Sequence, residues 1–218
     1  MTEPRHALEP RLLHLDDDLL VLEKPAGMLS VPGRGPDKQD CLSRWAQAQV
    51  PGAMVVHRLD MATSGLILMA RHALSQRLLG HAFEQRLIAK QYTAVVEGQM
   101  ADGDDWQTID LPLAADWPRR PLQKVDVLHG KPSLTRWRVL ERSASQTRLL
   151  LEPLTGRSHQ LRVHLQALGH PIVGDALYGA SSPRGEAPAA RLLLHASSLS
   201  LRHPIQALPL RFDSPAPF

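Results

Sequence analysis

The sequence contains one cysteine, Cys41, among its 218 residues. A single cysteine cannot form an internal disulfide, which excludes a disulfide-stabilised scaffold and fits a reducing cytoplasm. Long apolar runs are also missing, since the run over residues 65–70 is far shorter than the ~20 residues that cross a bilayer. Residues 1–15 carry scattered arginine and histidine without an apolar core. We therefore expect no secretory signal, no membrane association and a cytoplasmic protein.

Repeats and metal-binding patterns are missing as well. No internal repeat or heptad pattern occurs, which excludes a solenoid and a coiled coil. His159 and His164 are five positions apart, whereas two histidine ligands on one helical face are spaced by four. The run Asp16-Asp17-Asp18 has no partners at ligand spacing and is interpreted as a solvated turn. We expect no metal site.

The composition is that of a globular protein, with 43% hydrophobic and 22% charged residues. The length allows one substantial domain or two small ones. The net charge of +3 is unevenly distributed: residues 1–130 hold 14 basic and 17 acidic side chains (−3), and residues 131–218 hold 11 and 5 (+6). Because 20 of the 25 cations are arginine, either a nucleic-acid partner or the base composition of the genome explains the bias.

Short strand patterns alternate irregularly with a few helical ones. Helical spacing of apolar residues predicts a helix over residues 73–88, and a second helix after a cap at Ser158. Strands are predicted over residues 12–15, 19–23, 66–70, 92–96, 134–140, 147–152, 192–195 and 199–201. Residues 99–126 form a long polar insertion, and residues 180–190 read as an exposed loop. The pattern predicts an α+β fold, and no linker separates two domains.

Polar residues between two apolar runs mark a first candidate site over residues 57–65. Asp60 stands between Leu59 and Met61, with Arg58 next to Leu59. An arginine partner would hold a poorly solvated carboxylate ionised, and such a carboxylate is a competent nucleophile or base. From spacing alone the commoner explanation is that Asp60 caps a turn through its own backbone.

A second candidate site covers residues 155–164. Gly156 permits a close backbone approach, and the N-terminus of the helix that follows is suited to an anion. Arg162 lies one turn into that helix, within reach of a phosphate or a buried carboxylate. For His159 and His164 the alternative is ordinary hydrogen bonding at a helix surface.

Several segments together resemble the RluA-type RNA pseudouridine synthases. The run HRLDMATSGLILMAR at residues 57–71 is similar to the signature of that family. LLVLEKPAGMLSVPG at 19–33, KQYTAV at 90–95, LTGRSHQLRVHLQALGHPIVGDALYG at 154–179 and LLLHA at 192–196 resemble its other motifs, in the same order. The resemblance extends from about residue 16 to residue 212.

The resemblance implies a pseudouridine synthase catalytic fold: a mixed, mainly antiparallel sheet with flanking helices and loops around an RNA-binding cleft. It implies one catalytic domain over residues 1–218, without the N-terminal S4-like domain of many relatives. No cofactor is implied, because isomerising uridine involves neither redox change nor group transfer. The implied catalytic residues are Asp60, Tyr92 and Arg162. We expect RNA contacts from Arg58, His57, Trp117, Arg119, Arg120, Lys124, Arg157 and His159.

The branch without an S4-like domain acts on a tRNA anticodon stem-loop and on a hairpin of 23S rRNA, which the resemblance implies as substrates here. We expect a monomer that needs no protein partner. Two alternatives stay open at this point: a non-catalytic RNA-binding or chaperone module on the same fold, and an N-glycoside hydrolase that releases the base.

Overall fold

The computed structural model describes residues 9–101, 103, 105–179 and 190–218, so most of the loop predicted at 180–190 lies outside the described residues. The chain divides into two compact units. Unit 1 comprises Met1–Lys90 and His195–Pro217, and unit 2 comprises Gln91–Leu194 with Phe218. The single catalytic domain expected from the sequence stays a prediction.

The described ranges contain twelve strands and three α-helices. The strands are β1 (Arg11–Leu15), β2 (Leu19–Lys24), β3 (Met54–Val55), β4 (Ser64–Ala70), β5 (Ala89–Glu97), β6 (Gln107–Asp110), β7 (Leu113–Ala115), β8 (Gln123–Val125), β9 (Leu134–Arg142), β10 (Gln146–Pro153), β11 (Leu194–Arg202) and β12 (Pro209–Asp213). The helices are α1 (Leu42–Gln49), α2 (Ala73–Glu84) and α3 (Gln160–Ala167). None of the helices in these ranges combines the length and the apolar character of a membrane span.

In unit 1 the strands form a mixed sheet in the order β1-β2-β4-β11, with β12 paired to β11 and β3 paired to β4. The β4–β11 pair is parallel and the other pairs are antiparallel. All seven residues of β4 are buried, which explains why this strand is a continuous apolar run without alternation. Leu66 and Leu68 pack with Leu19, Val21 and Leu79 of α2 in the core.

In unit 2 the strands β5-β10-β9-β6 form an antiparallel sheet, and β7-β8 form a separate two-stranded hairpin. Burial alternates along β10, with Thr147, Leu149 and Leu151 buried and the residues between them half-buried. This period of two is that of a strand with one covered face. The register places Tyr92 of β5 opposite Leu151.

The structure confirms the predicted α+β fold and most predicted strands. The helix predicted over 73–88 ends earlier, at Glu84, because Arg86 adopts a left-handed conformation (φ 58°) that turns the chain into β5. The two strands predicted at 192–195 and 199–201 are one strand, β11. Helix α1 and the strands β3, β6, β7, β8 and β12 were not predicted.

The predicted cap at Ser158 is wrong. Helix α3 is preceded by His159 in the left-handed conformation (φ 55°), and no side chain caps the helix there. The side chain of Gln160 supplies the local contacts instead: its Oε1 accepts hydrogen bonds from Arg157 N–H at 3.0 Å and from the Thr155 hydroxyl at 2.7 Å. Gly169 (φ 83°) ends the helix, as its sequence position predicts.

Gly65 occupies a position in unit 1 that excludes any side chain. Its φ is 109°, and a Cβ atom there would lie 2.3 Å from the backbone oxygen of Ala196 on β11. We expect Gly65→Ala to lower the free energy of unfolding by about 2 kcal/mol or more. Gly80→Ala in α2 is the matched control, since a Cβ there has no neighbour within 4 Å, and it should stabilise by about 0.5–1 kcal/mol. Chemical denaturation measures both; equal effects of the two variants would contradict this account of the β4–β11 contact.

Candidate functional site

The segment that carries Asp60 is held in unit 1 by a buried lysine. Lys24, at the end of β2, has no solvent exposure. Its Nζ donates to the backbone oxygens of Pro25 and Met28, each at 2.8 Å, and to that of Met61 at 3.1 Å. An ammonium group has three N–H donors, and buried charge is tolerated only where such partners receive it. The lysine therefore fixes the backbone immediately after Asp60.

A serine fixes the backbone on the other side of Asp60. The Ser30 hydroxyl donates to the Leu59 oxygen at 2.7 Å and accepts from the Leu59 N–H at 3.1 Å. Gly27 N–H donates to the Met61 oxygen at 2.8 Å. Asp60, which is half-buried, is thus flanked by two anchored peptide units and stands on a defined backbone.

Two further residues of this segment were predicted to contact RNA. His57 accepts a hydrogen bond from Leu68 N–H at Nε2 (2.9 Å) and stacks against Phe83, with ring centroids 4.4 Å apart. Burial, with a smaller contribution from the nearby charge of Lys90, lowers the pKa of His57 to about 3. These contacts give His57 a structural role in unit 1. Arg58 is exposed, and the RNA contacts of both residues stay predictions.

In unit 2, Arg162 forms a two-pronged ion pair with a residue that the sequence analysis missed. Its Nε donates to Oδ2 of Asp175, and its Nη2 donates to Oδ1, each at 2.7 Å. Arg162 is 4% exposed and Asp175 7%. Burial alone would raise the pKa of Asp175, but the bonds from Arg162 and from the N–H groups of Leu177 and Tyr178 lower it.

Asp175 stands within the quoted motif at 154–179, but its spacing from Arg162 gave no sign of the pair. The predicted pairing of Arg162 with Asp60 joins residues of different units and stays a prediction. Tyr92, on β5, is half-buried. By register it shares a sheet face with Leu151 of β10 and Trp137 of β9. Its proposed contact with uracil also stays a prediction.

Residues 111–131, here called the insertion hairpin, contain β7, the short helical turn Trp117–Arg119 and β8. Trp117 is 67% exposed, and the guanidinium of Arg120 lies 3.7 Å from the centroid of its ring. Arg119 contacts the Asp116 carboxylate through Nε (2.8 Å) and Nη2 (2.6 Å). Lys124 Nζ lies 3.3 Å from Oδ2 of Asp126. Three cations and an exposed indole are therefore grouped on one element, as stacking and phosphate contacts with RNA require.

The remaining predicted contacts flank α3. Arg157 is exposed, and its Nε donates to the Pro132 oxygen at 3.3 Å. His159 is half-buried, and its Nδ1 lies 2.7 Å from the hydroxyl of Tyr178. His164 is turned inward, with Nδ1 at 2.9 Å from the Thr135 hydroxyl and Nε2 at 3.0 Å from the Leu111 oxygen.

The turn at residues 16–18 differs from its prediction as a solvated turn. Ligand atoms of Asp16, Asp18 and His203 lie within 4.8 Å of one another, close enough to hold a metal ion. His203 Nδ1, however, accepts from the N–H groups of Ile205 (3.3 Å) and Gln206 (3.0 Å), so Nε2, which faces Asp16 at 3.3 Å, is the ring nitrogen that carries a proton. A protonated nitrogen does not ligate a metal. We therefore interpret the cluster as a polar contact between the β1–β2 turn and the turn after β11.

Burial would raise the pKa of Asp16, but several hydrogen bonds outweigh it. The donors are the His14 ring and the backbone N–H groups of Leu19 and Asp18, and with the nearby His203 they lower the pKa to about 2. His14, Asp18 and Leu19 lie within three residues of Asp16, whereas His203 comes from a distant segment of unit 1 and could not be found from spacing.

Comparison with known proteins decides the family. Residues 18–167 match the family model described as "RNA pseudouridylate synthase". The chain belongs to this family. It is 47% identical over 208 residues to "Dual-specificity RNA pseudouridine synthase RluA" of Escherichia coli K12, covering 95% of this chain and 93% of that protein. The protein with the same name from Vibrio vulnificus is 49% identical over 196 residues, covering 87% and 76%.

A solved structure supports the same assignment. The structure entitled "Human RNA Pseudouridylate Synthase Domain Containing 1" is 30% identical to this pseudouridylate synthase, with a TM-score of 0.80 over 100% of this chain and 87% of that one. The segments anchored by Lys24 and Ser30 lie within the range of the family match. Asp175 and Tyr178 follow it.

The neutral His57 ring makes acid stability a test of the Asp60 segment. An unfolded histidine gains a proton near pH 6.5 and the folded one only near pH 3, so stability falls on acidification between these values. His57→Gln keeps an acceptor for Leu68 N–H but does not titrate. We expect the wild type to lose at least about 1 kcal/mol more than His57→Gln between pH 7.5 and pH 5. Parallel urea titrations measure this; identical pH slopes would show that His57 is solvated.

The buried ion pair of unit 2 has a surface counterpart that serves as its control. Asp213 binds Arg211 through two hydrogen bonds of 2.9 and 3.0 Å but is 54% exposed in its side chain. Asp175→Asn should lower the free energy of unfolding by about 3 kcal/mol, because the buried Arg162 guanidinium loses the carboxylate that binds it through two short hydrogen bonds. Asp213→Asn should cost less than about 1 kcal/mol. Thermal and urea unfolding compare the two, and losses of equal size would contradict the burial of the Arg162–Asp175 pair.

Proposed function

We propose that this chain is a cytoplasmic, monomeric RNA pseudouridine synthase that modifies both a tRNA anticodon stem-loop and a hairpin of 23S rRNA. The observation that carries the proposal is the Asp60 segment, a signature motif whose backbone is anchored on both sides by Ser30 and Lys24. The dual specificity is supported by the printed names of relatives 47% and 49% identical to this chain.

The reaction moves the uracil from one ring atom to another. The bond between N1 and C1′ breaks, the base turns, and a bond forms between C5 and C1′. The C5 proton leaves and N1 ends protonated, so atoms and electrons balance without a cofactor. Asp60 is the proposed catalytic carboxylate, acting at the sugar or the base, and an anchored backbone would hold it in position for this step.

Arg162 and Tyr92 complete the proposed catalytic set. Arg162 would keep the Asp60 carboxylate ionised, and Asp175 would orient the guanidinium for that task. Tyr92 would stack on the uracil, and its phenol oxygen could assist removal of the C5 proton. These roles rest on the family's motifs and on the placement of each residue within its own unit.

RNA binding would require the target base to leave its stack, at a cost of a few kcal/mol. Arg58 is exposed and stands two positions before Asp60, which suits it to occupy the space that the base leaves. The insertion hairpin would contact the RNA away from the flipped base, with Trp117 and Arg120 stacking on bases and Arg119 and Lys124 approaching phosphates. His57, Arg157 and His159 complete the proposed contacts.

The test uses purified protein and unmodified transcripts of tRNA and 23S rRNA. Pseudouridine formed in them is mapped with a pseudouridine-selective chemical label, because the isomerisation leaves the RNA mass unchanged. The wild type should label one stem-loop in each RNA without added nucleotide. Asp60→Asn should lose activity on the order of 10³-fold or more while it binds both RNAs as the wild type does.

Three results would contradict the proposal. Absence of pseudouridine in both RNAs would contradict the activity. Release of free uracil would identify an N-glycoside hydrolase. Unchanged cellular function of Asp60→Asn would favour a non-catalytic RNA-binding module.

A further inference from the structure

The hydroxyl group of Tyr178 joins two segments of unit 2 that lie far apart in the sequence. Gln123 N–H, at the start of β8, lies 2.8 Å from the hydroxyl oxygen, and His159 Nδ1 lies 2.7 Å from it. A backbone N–H can only donate, so the phenol oxygen accepts from Gln123 and can give its own proton to His159. The side chain is 5% exposed, which places these bonds away from bulk water, where they are strongest.

The ring and the backbone of Tyr178 contact the arginine of α3. The Arg162 guanidinium carbon lies 5.0 Å from the ring centroid. Tyr178 N–H donates at 3.1 Å to Oδ1 of Asp175, the atom that accepts Arg162 Nη2. One residue therefore contacts Arg162 through its ring and the insertion hairpin through its hydroxyl.

Few apolar side chains hold the insertion hairpin against α3. The buried cluster between them consists of Leu113, Val163 and Tyr178, with Leu122 and Val125 packed on it. Towards the base of the hairpin, His164 Nε2 bonds the Leu111 oxygen at 3.0 Å. With so small an apolar contact, directional hydrogen bonds fix where the hairpin sits along the helix.

We propose that Tyr178 is a positioning residue for RNA binding: its hydroxyl holds the insertion hairpin at a fixed place on α3. The hairpin's Trp117 and Arg120 are thereby presented to the RNA in a constant relation to Arg162. The inference rests on the proposed function, because it takes these hairpin residues as RNA contacts.

Tyr178→Phe separates the two contacts of the residue. Phenylalanine keeps the ring beneath Arg162 and the N–H to Asp175, so the helix that carries Arg162 is retained. It removes the acceptor of Gln123 N–H and the partner of His159, which frees the hairpin to shift. We therefore expect KM for the tRNA stem-loop to rise about five- to tenfold, while kcat at saturating RNA stays within about twofold.

Thr147→Val is the matched control. The Thr147 hydroxyl is also buried, accepts from a backbone N–H (Met100, 3.0 Å) and donates onward (Gly98 oxygen, 2.9 Å), but it lies at the far end of β10. Both variants lose one buried hydroxyl bridge in the same unit, so their melting temperatures should fall together. Only Tyr178→Phe should raise KM; equal KM values for the two variants would overturn the proposal, as would a fall in kcat at unchanged KM.

A second comparison keeps the test independent of stability. In a Trp117→Ala/Arg120→Ala background the hairpin has lost the contacts that Tyr178 is proposed to place, so Tyr178→Phe should change KM less than about twofold. A full five- to tenfold effect in that background would also overturn the proposal. The wild-type assay separates this inference from the proposed function: an inactive wild type contradicts the function, whereas an active wild type with an unaffected Tyr178→Phe contradicts only the role of Tyr178.

Discussion

The buried ammonium group of Lys24 is the contact on which the candidate catalytic segment depends. Residues 57–63 connect two strands and have no ladder of their own, so their backbone oxygens need other donors. Lys24 supplies one to Met61 while it also binds Pro25 and Met28. A charge without solvent exposure is costly unless such partners hold it. The N-terminal motif and the signature motif thus form one structural element, although 37 positions separate Lys24 from Met61.

Unit 2 uses a buried ion pair for the same purpose. Arg162 is held by Asp175 through two short bonds, and Asp175 is in turn held by the N–H groups of Leu177 and Tyr178. In both units the residue proposed for chemistry is placed by neighbours that have no part in the reaction. Such placement restricts side-chain motion before the substrate binds. This pre-organisation accounts for much of the rate enhancement that a fixed geometry provides.

The sequence predicts the local features of this protein well. Strand positions follow from apolar patterning, as in β2, β4 and β10, and the polar segment around Asp60 stands out because it interrupts two apolar runs. The start of α3 could not be found in this way, because no side chain caps the helix and the left-handed His159 precedes it instead of the expected serine cap. The end of α2 was also misplaced, because the left-handed Arg86 is not recognisable from residue type.

The supporting residues could not be predicted because their partners are distant in sequence. Lys24, Asp175 and Tyr178 all stand in motifs that the sequence analysis quoted, yet nothing in the spacing shows that Lys24 binds Met61 or that Tyr178 binds Gln123. The histidine that approaches Asp16 was missed for the same reason, since His203 follows β11. The spacing of apolar residues indicates which positions are buried. It does not show which polar side chains contact each other in the folded protein.

The most direct test of the claim that Lys24 positions the Asp60 segment uses the variant Lys24→Met. Its kcat on a tRNA stem-loop is measured together with its affinity for the same RNA. Methionine fills a similar volume without a donor, so the oxygens of Pro25, Met28 and Met61 lose the ammonium and the Asp60 segment can shift. A displacement of about 1 Å at reacting groups costs on the order of 100-fold in rate. We expect a loss of that size with RNA affinity within about threefold of the wild type and a folded protein by circular dichroism. A Lys24→Met variant with wild-type kcat would contradict the account.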